Sequence, residues 1–558
     1  MSASTTSPAT ASVTPAPPAL VLVAAVVFSG SIQALIAPPA SWIWIHPVSW
    51  IPALWAFSQL SGRKALLYGW LCGIAAQGAI FSWLVDTITI FSNIPLVGAL
   101  VILLAFAALF GFYTAVFAWG VGRVRARSGR WWPAAVAAWF CAAEFLNPQL
   151  FPYFQGVAWY QQPGIFLLTA VTGVAGMSFL VMLANSLGLA ALEGWLARRR
   201  GEAPDWSALK PSGALLLGSL VLALGYCQVR LGAIEAAEAA SEPVKLAMIQ
   251  TNRDVFERRA LMRRSKGAIA RDHEELMSEA LREHPEIDAF VLPEGALRGR
   301  PDWPANYPIR EFVASSGKEV WTGGSSFEQE ASGERLWFNS AFHLRGDGSM
   351  GDRYDKNVLL PFGEYMPFED VLPILKKIQG VGNYHPGADV IVYDALADRV
   401  RFAFLICYEA ILSRYVRKAV NAGTDLLVNI SYDAWYGDTA CPHQFFMLVA
   451  LQSAQNGVPT VRAATTGISA FVDARGRIVQ SGPLFERLSL VGEARPLRLP
   501  GLYTKLGDWF AWLCVFGALG LLLRREDSSL RSRWPLGLVL LSAGVHGVVL
   551  VFGLGPMG

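Results

Sequence analysis

Residues 404–411 read FLICYEAI, an apolar run that ends on a thiol and then turns polar. The pattern predicts a buried strand that ends at Cys407, with a helix over the next residues, EAILSRYVRKAV. An unpaired cysteine is among the most buried residue types, so Cys407 alone is read most simply as a small apolar side chain in a core. A nucleophile at the tip of a strand is the alternative, and the surrounding sequence decides between them.

Residues 244–497 around this stretch have the composition of an ordinary globular domain. Strands are predicted for VKLAMIQ, IDAFVLPE, KEVWTGGSSF, WFNSAFHL, RFAFLIC, DLLVNIS and GISAFVDA. Apolar residues recur at helical spacing in RRALMRRSKGAIARDHEELMSEALREH, which predicts one amphipathic helix, and QFFMLVALQSAQNG predicts another. Alternation of strands with helices predicts a layered α/β fold.

The composition of the whole chain is that of a membrane protein with a sizeable water-exposed part. Of 558 residues, 53% are apolar and only 16% are charged, against roughly a quarter charged in soluble domains. The mean hydropathy is +0.37, and 20 residues are Trp. The net charge of +3 and the absence of any nucleic-acid motif exclude a nucleic-acid-binding protein.

Long apolar runs flank the globular region on both sides. A spanning helix needs about 20 apolar residues, and such runs lie near 18–37, 41–58, 65–88, 96–122, 131–151, 165–192, 212–231, 502–523 and 534–554. Pro47 and Pro52 make the second run the weakest. The predicted order is a disordered N-terminus (1–17), a transmembrane domain of about seven helices (18–235), the globular domain (244–497), one helix (501–523) and an additional one (534–554). The first run has no positive n-region, which indicates a retained helix.

Basic residues are confined to every second loop between these runs. They are Arg63, Lys64, Arg123, Arg125, Arg127, Arg130, Arg198, Arg199, Arg200, Lys210, Arg524, Arg525, Arg531 and Arg533. The intervening short loops, such as NPQLFPYFQGVAWYQQPG, carry no Lys or Arg. The positive-inside rule therefore places the N-terminus in the cytoplasm and, seven crossings later, the globular domain on the far side.

Four of the six cysteines, Cys72, Cys141, Cys227 and Cys514, fall inside apolar runs, where packing explains them. The globular domain holds Cys407 and Cys441, and a disulfide between these two on an oxidising face remains an open alternative. The stretch CPH at 441–443 offers one Cys and one His, and nothing else has ligand spacing, so we expect neither a metal site nor a cofactor.

Three polar positions interrupt the apolar pattern where strands end: Glu294 in FVLPE, Lys356 in YDKNVLL, and Cys407. Singly, the acid is explained as a cap or a solvated loop residue and the lysine as a surface residue. Together they form a chemically complete set, because acyl transfer through a thiol needs a nucleophile, a base and a positive donor for the oxyanion. The predicted helix after Cys407 would also stabilise a thiolate at its N-terminus.

The motifs LPE (292–294), YDK (354–356) and CYE (407–409) resemble the nitrilase superfamily. With KNVLLPFGEYMPF (356–368), ICYEA (406–410) and the apolar runs on either side, the chain resembles the apolipoprotein N-acyltransferase family from about residue 20 to 523. This resemblance implies a polytopic helical domain in the bacterial inner membrane. It also implies a nitrilase-like α-β-β-α sandwich that faces the periplasm, and a nucleophilic Cys407.

The resemblance further implies a mechanism. Glu294 takes the thiol proton, Lys356 helps to hold the oxyanion, and Cys407 attacks an acyl ester of a phospholipid, typically phosphatidylethanolamine. The free amine of a diacylglyceryl-cysteine at the N-terminus of an apolipoprotein then attacks the thioester.

Three further residues would support this chemistry. Glu364 matches the family's supporting acid. Tyr408 and Glu409 match the pair that follows the nucleophile, with the Tyr408 backbone N–H as a second oxyanion donor and Glu409 as a buttress for Lys356 or the base. Core packing for Tyr408 and a helix cap for Glu409 are the alternatives.

The chain departs from the family pattern at Tyr432 and Thr465, each in place of Asn, and at Phe256 in place of Trp, which leaves lipid and acceptor preference open. Apolar residues that a nitrilase-type core would not need occur at 366–382 and 434–446. These segments are predicted arms that reach the lipid headgroups through Phe368, Leu372, Ile374, Leu375, Trp435 and Tyr436. Packing of these residues onto the helical domain is the alternative.

Two rival functions remain open from the sequence. A membrane-tethered amidase or nitrilase would use water as the final nucleophile, although a soluble amide needs no membrane site. A catalytically modified paralogue would bind lipid without turnover, although the Glu, Lys and Cys set is intact. A monomer is the simplest expected state.

Overall fold

The structure is a computed structural model, and it describes residues 17–92, 94–331, 333–367 and 383–524. The predicted disordered N-terminus up to residue 16, the arm residues Phe368, Leu372, Ile374 and Leu375, and the predicted last span at 534–554 lie outside the described residues. Within the described ranges, helices come first along the chain, a part with two sheets follows, and two more helices come last.

The apolar runs before residue 240 form a bundle of helices. These are α1 (Ala19–Ser31), α2 (Gln33–Ile36), α3 (Ile51–Ser58), α4 (Gly62–Ile80), α5 (Leu84–Phe91), α6 (Leu96–Phe110), α7 (Phe112–Ser128), α8 (Trp132–Phe145), α9 (Pro163–Phe166), α10 (Thr169–Thr172), α11 (Val174–Arg199) and α12 (Leu209–Ala240). By length and composition, four segments suffice to cross a membrane: Ala19–Ile36, Leu96–Phe145, Val174–Arg199 and Leu209–Ala240. A fifth span results if Gly62–Ile80 and Leu84–Ile90, bent by 56°, are counted as one. The chain is therefore a multi-pass membrane protein, and the count of about seven crossings stays a prediction.

The second apolar run, 41–58, is α-helical over only eight residues, those of α3. Pro52 lies in the first turn of α3, where a missing N–H is harmless, and the run before it holds only turns and a short 3₁₀ helix, Ile43–Ile45. The segment nevertheless runs antiparallel to α1. Gln33 donates to the Ser49 hydroxyl at 3.3 Å, and the Ala53 amide donates to the Ser29 hydroxyl at 3.0 Å.

Helix α12 connects the bundle to the globular part. Its 32 residues span about 48 Å at 1.5 Å per residue, which exceeds the roughly 30 Å of a hydrocarbon core. Its last turns carry Glu235 and Glu238, and both form ion pairs with Arg475 of the globular part. The helix thus continues past the predicted domain boundary at residue 235.

Within the residues that the structure describes, the globular part has twelve strands in two six-stranded sheets. The strands are β1 (Val244–Gln250), β2 (Ala289–Val291), β3 (Glu319–Gln329), β4 (Arg335–Leu344), β5 (Tyr354–Asp355), β6 (Tyr393–Ala395), β7 (Val400–Ile406), β8 (Leu426–Ser431), β9 (Thr460–Ala464), β10 (Ala470–Val472), β11 (Ile478–Ser481) and β12 (Leu488–Ala494). The helices are α13 (Val255–Arg264), α14 (Ala268–Glu283), α15 (Tyr307–Ser316), α16 (Ser413–Asn421) and α17 (Ala440–Asn456), and α18 (Leu502–Leu506) and α19 (Trp509–Leu523) follow. The strand orders are β12-β1-β2-β3-β4-β5 and β11-β10-β9-β8-β7-β6.

The two sheets face each other across a shared apolar core, in which Trp321 of β3 stacks on Phe402 of β7 with ring centroids 4.2 Å apart. Helices α14 and α15 pack on the outer face of the first sheet. Helices α16 and α17 pack on the outer face of the second sheet. The expected α-β-β-α sandwich is therefore confirmed.

Two details of the predicted elements were wrong. The single amphipathic helix predicted for this region is two helices, α13 and α14, because Ser265 is extended at φ −155° and Gly267 precedes the second helix. The strand predicted over 287–294 is regular only over β2. Helix α17 lies where the second helix was predicted.

The sandwich and the bundle share one apolar core, since α17 is buried between the second sheet and the helical part. Gln444 of α17 donates to the Ile80 carbonyl at 2.9 Å and accepts from the Trp83 indole at 3.0 Å. Five aromatic side chains meet where the sandwich contacts the bundle. We call this cluster the aromatic junction, and it consists of Trp83, Phe151, Tyr408, Tyr436 and Phe445.

Candidate active site

Glu294, Lys356 and Cys407 follow β2, β5 and β7, so residues from both sheets meet at one end of the sandwich. The Glu294 carboxylate and the Lys356 ammonium both act electrostatically on the Cys407 thiol. Lys356 is only 1% exposed and Cys407 8% exposed, whereas Glu294 is half-buried. The structure therefore brings together the three residues that the sequence singled out.

Cys407 has a strained backbone. Its φ is +50°, a left-handed conformation that a residue with a side chain rarely adopts. It occupies the sharp junction between β7 and the 3₁₀ turn Cys407–Ile411. Such strain is of the order of 1 to 3 kcal/mol, and it persists only where the surroundings hold it. This places the thiol at a turn that leaves the strand, as a nucleophile requires.

Burial makes the thiol of Cys407 hard to ionise. Burial raises its pKa from 9.0 to about 12; the nearby Glu294 carboxylate also raises it, whereas Lys356 lowers it. The expected thiolate stabilisation by a helix N-terminus stays a prediction. The regular helix α16 begins only at Ser413, beyond the 3₁₀ turn. A base is consequently needed to generate the nucleophile.

Glu294 is the residue predicted to be that base. Its Oε1 accepts a hydrogen bond from the Asn339 amide at 2.6 Å, and its Oε2 accepts from the Tyr432 backbone N–H at 2.9 Å. Burial raises the pKa of Glu294, and the charge of Lys356 opposes that rise. A buried carboxylate with a raised pKa is a better proton acceptor than an exposed one.

Lys356 is a fully buried cation with a direct carboxylate partner. Its Nζ lies 2.7 Å from Oε2 of Glu364. Burial alone lowers the pKa of Lys356, but the carboxylates of Glu364 and Glu294 outweigh burial and raise it. Lys356 therefore stays charged and can stabilise an oxyanion.

Asn339, on β4, was missed by the sequence analysis. Its side-chain amide donates to Glu294 at 2.6 Å and to Glu364 at 2.8 Å, so it links the two acids. Its backbone carbonyl also accepts from the Lys356 N–H at 2.8 Å. The only signal in the sequence is a polar residue in WFNSAFHL, whose pairing with β5 cannot be read from spacing.

Glu409 fixes the two turns that carry the reactive groups. One carboxylate oxygen accepts from the backbone N–H groups of Asn357 and Val358 at 2.6 and 3.1 Å. The other accepts from the Ile406 N–H and the Tyr354 hydroxyl, both at 2.8 Å. Glu409 therefore caps the turn after β7 through the Ile406 N–H, and its predicted role as a buttress for Lys356 or the base stays a prediction. Burial raises the pKa of Glu409 to about 7.

Tyr408 links the turn of the nucleophile to the membrane helices. Its hydroxyl donates to the Leu150 carbonyl at 2.5 Å, and its ring lies edge-on to Phe151 with centroids 6.3 Å apart. Its side chain is therefore packed in a core, as the alternative had it. The role of its backbone N–H in the oxyanion site stays a prediction.

Of the predicted arm residues, Trp435 and Tyr436 fall within the described chain. Tyr436 is buried against Trp83, with centroids 5.6 Å apart, which is the alternative packing onto the helical domain. Trp435 is half-buried and packs against the same core. The headgroup role of the arms stays a prediction.

A buried ion pair adjoins the site and was also missed. Asp433 and Arg462, each 1% exposed, lie 2.6 Å apart, and Arg462 also donates to Asn429. Asp433 follows Tyr432, whose N–H holds Glu294, so the pair fixes the turn beneath the base. Cys441 and Cys407 are both free thiols, which removes the disulfide alternative for this state.

Two family descriptions match the chain. One, named Apolipoprotein N-acyltransferase N-terminal domain, matches residues 29–187, and the other, Carbon-nitrogen hydrolase, matches residues 245–493. An apolipoprotein N-acyltransferase of Geobacter metallireducens is 34% identical over 509 residues, covering 88% of this chain and 93% of the relative. One of Methylococcus capsulatus is 26% identical over 522 residues, covering 89% and 95%. Among solved structures, Saccharomyces cerevisiae Nit3, of branch 10 of the nitrilase superfamily, aligns with a TM-score of 0.35 and 17% identity over 46% of this chain and 91% of that chain.

Proposed function

Because this chain belongs to the apolipoprotein N-acyltransferase family, we propose that it transfers an acyl chain from a phospholipid to the N-terminal amine of diacylglyceryl-cysteine on apolipoproteins. The proposed donor is phosphatidylethanolamine, and the proposed carrier is a thioester on Cys407. The observation that supports this most directly is the meeting of Glu294, Lys356 and Cys407 beside the membrane helices. The enzyme acts as a monomer in this proposal.

In the first half-reaction, Glu294 removes the thiol proton and Cys407 attacks the ester carbonyl of the phospholipid. The developing oxyanion receives the charge of Lys356 and the backbone N–H of Tyr408. The C–O bond then breaks, and the proton held by Glu294 passes to the departing alkoxide. A lysophospholipid leaves, and the acyl chain remains as a thioester.

In the second half-reaction, the neutral amine of the lipidated cysteine attacks the thioester carbonyl. Glu294 takes a proton from the attacking nitrogen, the C–S bond breaks, and the proton returns to the sulfur. The product is an amide, and the free thiol is regenerated. Lys356 stabilises the same oxyanion position in both halves.

The aromatic junction supports a lipid donor. Pulling an acyl chain into water costs about 0.8 kcal/mol per CH₂ group, so the thiol must be reached from the bilayer. Tyr408 directly follows Cys407 and contacts Phe151 of the helical part, and Tyr436 lies near Cys407. An apolar route from the helices to the thiol is consistent with these contacts.

We further propose that the membrane is the bacterial inner membrane and that the sandwich faces the periplasm. The basic ends of the helices lie at the end of the bundle opposite the sandwich. Arg125 pairs with Glu193 at 2.8 Å, and Arg127 donates to the Arg524 carbonyl at 3.4 Å. A basic end on one side and a catalytic domain on the other fits the positive-inside rule.

The proposal is tested with the purified protein and phosphatidylethanolamine that carries isotope-labelled acyl chains. Mass spectrometry of the Cys407 peptide should show one labelled acyl group, which persists in water and is discharged by a diacylglyceryl lipopeptide. Cys407→Ser should form no adduct, whereas Cys441→Ala should retain most of the activity.

Other outcomes would point to the rival functions. Rapid loss of the adduct in water without an amine would indicate a hydrolase. An intact protein that never acquires the adduct would indicate a non-enzymatic paralogue. Equal loss in Cys407→Ser and Cys441→Ala would contradict the assignment of the nucleophile.

A further inference from the structure

A short stretch of the globular part concentrates positive charge. Residues 253–271 contain seven basic and two acidic residues, a net charge of +5, whereas the whole chain carries only +3. Helix α13 occupies the middle of this stretch, and Lys266 follows it. The positive-inside rule explains basic residues in short loops between spans, and it does not govern long domains. The charge of this stretch therefore needs another explanation.

Helix α13 separates its charged face from its packed face. Val255 is buried and Leu261 is half-buried on one side of the helix. Arg259, Arg263 and Arg264 are exposed, and at 3.6 residues per turn they fall within about 140° of arc on the other side. The sequence thus builds an amphipathic helix whose outer face is basic.

The acids near this face are engaged elsewhere. Asp254 accepts from two backbone N–H groups at the start of α13, both at 2.7 Å, and Glu257 accepts from the Asp254 N–H at 3.2 Å. Asp272 is paired with Arg253 at 2.9 Å and with Arg487 at 3.0 Å. Four exposed cations form no ion pair with any residue in the described part of the chain: Arg259, Arg263, Arg264 and Lys266. Like charges held together on a surface favour an anionic partner.

A short series of contacts connects α13 to the helical part. The Arg258 guanidinium lies 5.6 Å from the ring centroid of Tyr432, and the rings of Tyr432 and Trp435 lie 6.2 Å apart. Two residues further along, a Cβ atom at Gly437 would lie 4.0 Å from Cδ1 of Ile90 in α5. Helix α5 belongs to the bent pair that makes up a possible fifth span, and Ile90 is itself exposed. Helix α13 therefore lies at the end of the sandwich that adjoins the membrane helices.

We propose that Arg259, Arg263, Arg264 and Lys266, which we call the basic face, bind anionic phospholipid headgroups of the bilayer around the enzyme. Each basic residue near an anionic membrane surface strengthens binding about fivefold. A bilayer is favoured over an acidic peptide because α13 is only a few side chains away from α5. Such binding holds the end of the sandwich that carries Glu294 against the membrane surface. The inference goes beyond the proposed acyl transfer and uses none of its steps.

The test follows a fluorophore on the basic face of the full-length protein in nanodiscs. Ala260→Cys carries the label, because Ala260 is exposed among the arginines and all six native cysteines are buried. The discs hold a fixed share of lipid with a nitroxide on its headgroup, in either phosphatidylcholine or phosphatidylglycerol. We expect stronger quenching in phosphatidylglycerol, and loss of the difference in 1 M salt, where the screening length is about 3 Å. Adding Arg263→Gln and Arg264→Gln should lower the ratio of bound to unbound label about 25-fold, at about fivefold for each arginine.

The matched control combines Arg282→Gln with Arg345→Gln, which removes two exposed arginines from the opposite end of the sandwich. Arg282 lies in the last turn of α14, ahead of β2, and Arg345 follows β4 where β4 pairs with the start of β3. This control should leave the quenching unchanged, and thermal unfolding of both double variants verifies folding.

Three outcomes would overturn the proposal. Equal quenching in the two lipids would show that the basic face does not select anionic headgroups. Equal loss in the control would show that only net charge matters. Protection of the label from an aqueous quencher by an acidic lipopeptide, and not by phosphatidylglycerol, would assign the face to the acceptor instead. The readout is binding, so a protein that forms no thioester would refute the proposed function and leave this inference standing.

Discussion

At the scale of single residues, the site combines a thiol that is hard to ionise with a strained, left-handed backbone at Cys407. Burial holds the pKa of Cys407 near 12, and Lys356 compensates only in part. The adjacent Glu294 is half-buried, and burial raises its pKa as well.

Alkylation of Cys407 should report this state directly. Only the thiolate reacts, so a thiol with a pKa near 12 should react about tenfold faster for each unit of pH between 7 and 10. An ordinary cysteine would level off near its pKa of 8.5. Iodoacetamide labelling without lipid, with quantification of the Cys407 peptide, provides the measurement. A plateau between pH 6 and 8 would instead mean that Glu294 already holds the thiol proton at rest.

Glu294→Gln and Lys356→Met should each slow thioester formation by at least about a hundredfold, because one removes the base and the other the charge at the oxyanion. Single-turnover acylation with labelled phospholipid measures the loss. Lys245→Met is a suitable control, since Lys245 forms an ion pair at the far end of β1 and lies outside the site. Near-normal acylation by Glu294→Gln would require a different base.

At the scale of elements, two short turns carry the chemistry, and one buried carboxylate joins them. Glu409, from the 3₁₀ turn after β7, accepts from the chain after β5 and from the last residue of β7. The two turns belong to different sheets. No strand pairing joins these two turns. The hydrogen bonds from their backbone N–H groups to the Glu409 side chain therefore hold Cys407 and Lys356 in place relative to each other.

Glu409→Gln should lower both stability and activity, although the two side chains have nearly the same size. The amide has one accepting oxygen in place of two, so buried N–H groups on one turn lose their partner at about 1 to 3 kcal/mol each. We expect a lower free energy of unfolding, measured in denaturant, together with slower thioester formation. Full activity with lowered stability would show that Glu409 acts on folding alone and does not position Lys356.

At the scale of the whole molecule, the two sides of the helical bundle differ. Basic helix ends lie together on one side of the bundle, α12 carries the chain across, and the sandwich packs on the other side through α17. Tyr408, next to Cys407, contacts Phe151 of the helical part at the aromatic junction.

Labelling of single introduced cysteines in intact cells should verify this orientation. All six native cysteines are buried, so a membrane-impermeant maleimide should report the introduced ones. Asp347→Cys, on an exposed loop of the sandwich, should react in intact cells. Asp205→Cys, on the exposed loop between α11 and α12, should react only after the inner membrane is opened. The reverse pattern would overturn the assignment of the sides.

The sequence by itself determined the membrane part, the layered α/β class and the three residues that meet at the candidate site. These follow from local patterns: runs of apolar residues of spanning length, alternation along strands, and polar residues at strand ends. The apolar periodicity predicted helices that were too long where a short interruption ends the helix. This happened between α13 and α14 and in the run before α3.

Only the tertiary structure decided how the site works. The link from Asn339 to both acids and the pair of Asp433 with Arg462 join residues far apart in the chain, and the tertiary structure also holds the left-handed backbone at Cys407. The raised pKa of the thiol follows mainly from its burial among those groups. Spacing along the chain carries no information on such contacts, because they depend on how two sheets and a helical bundle are placed against one another.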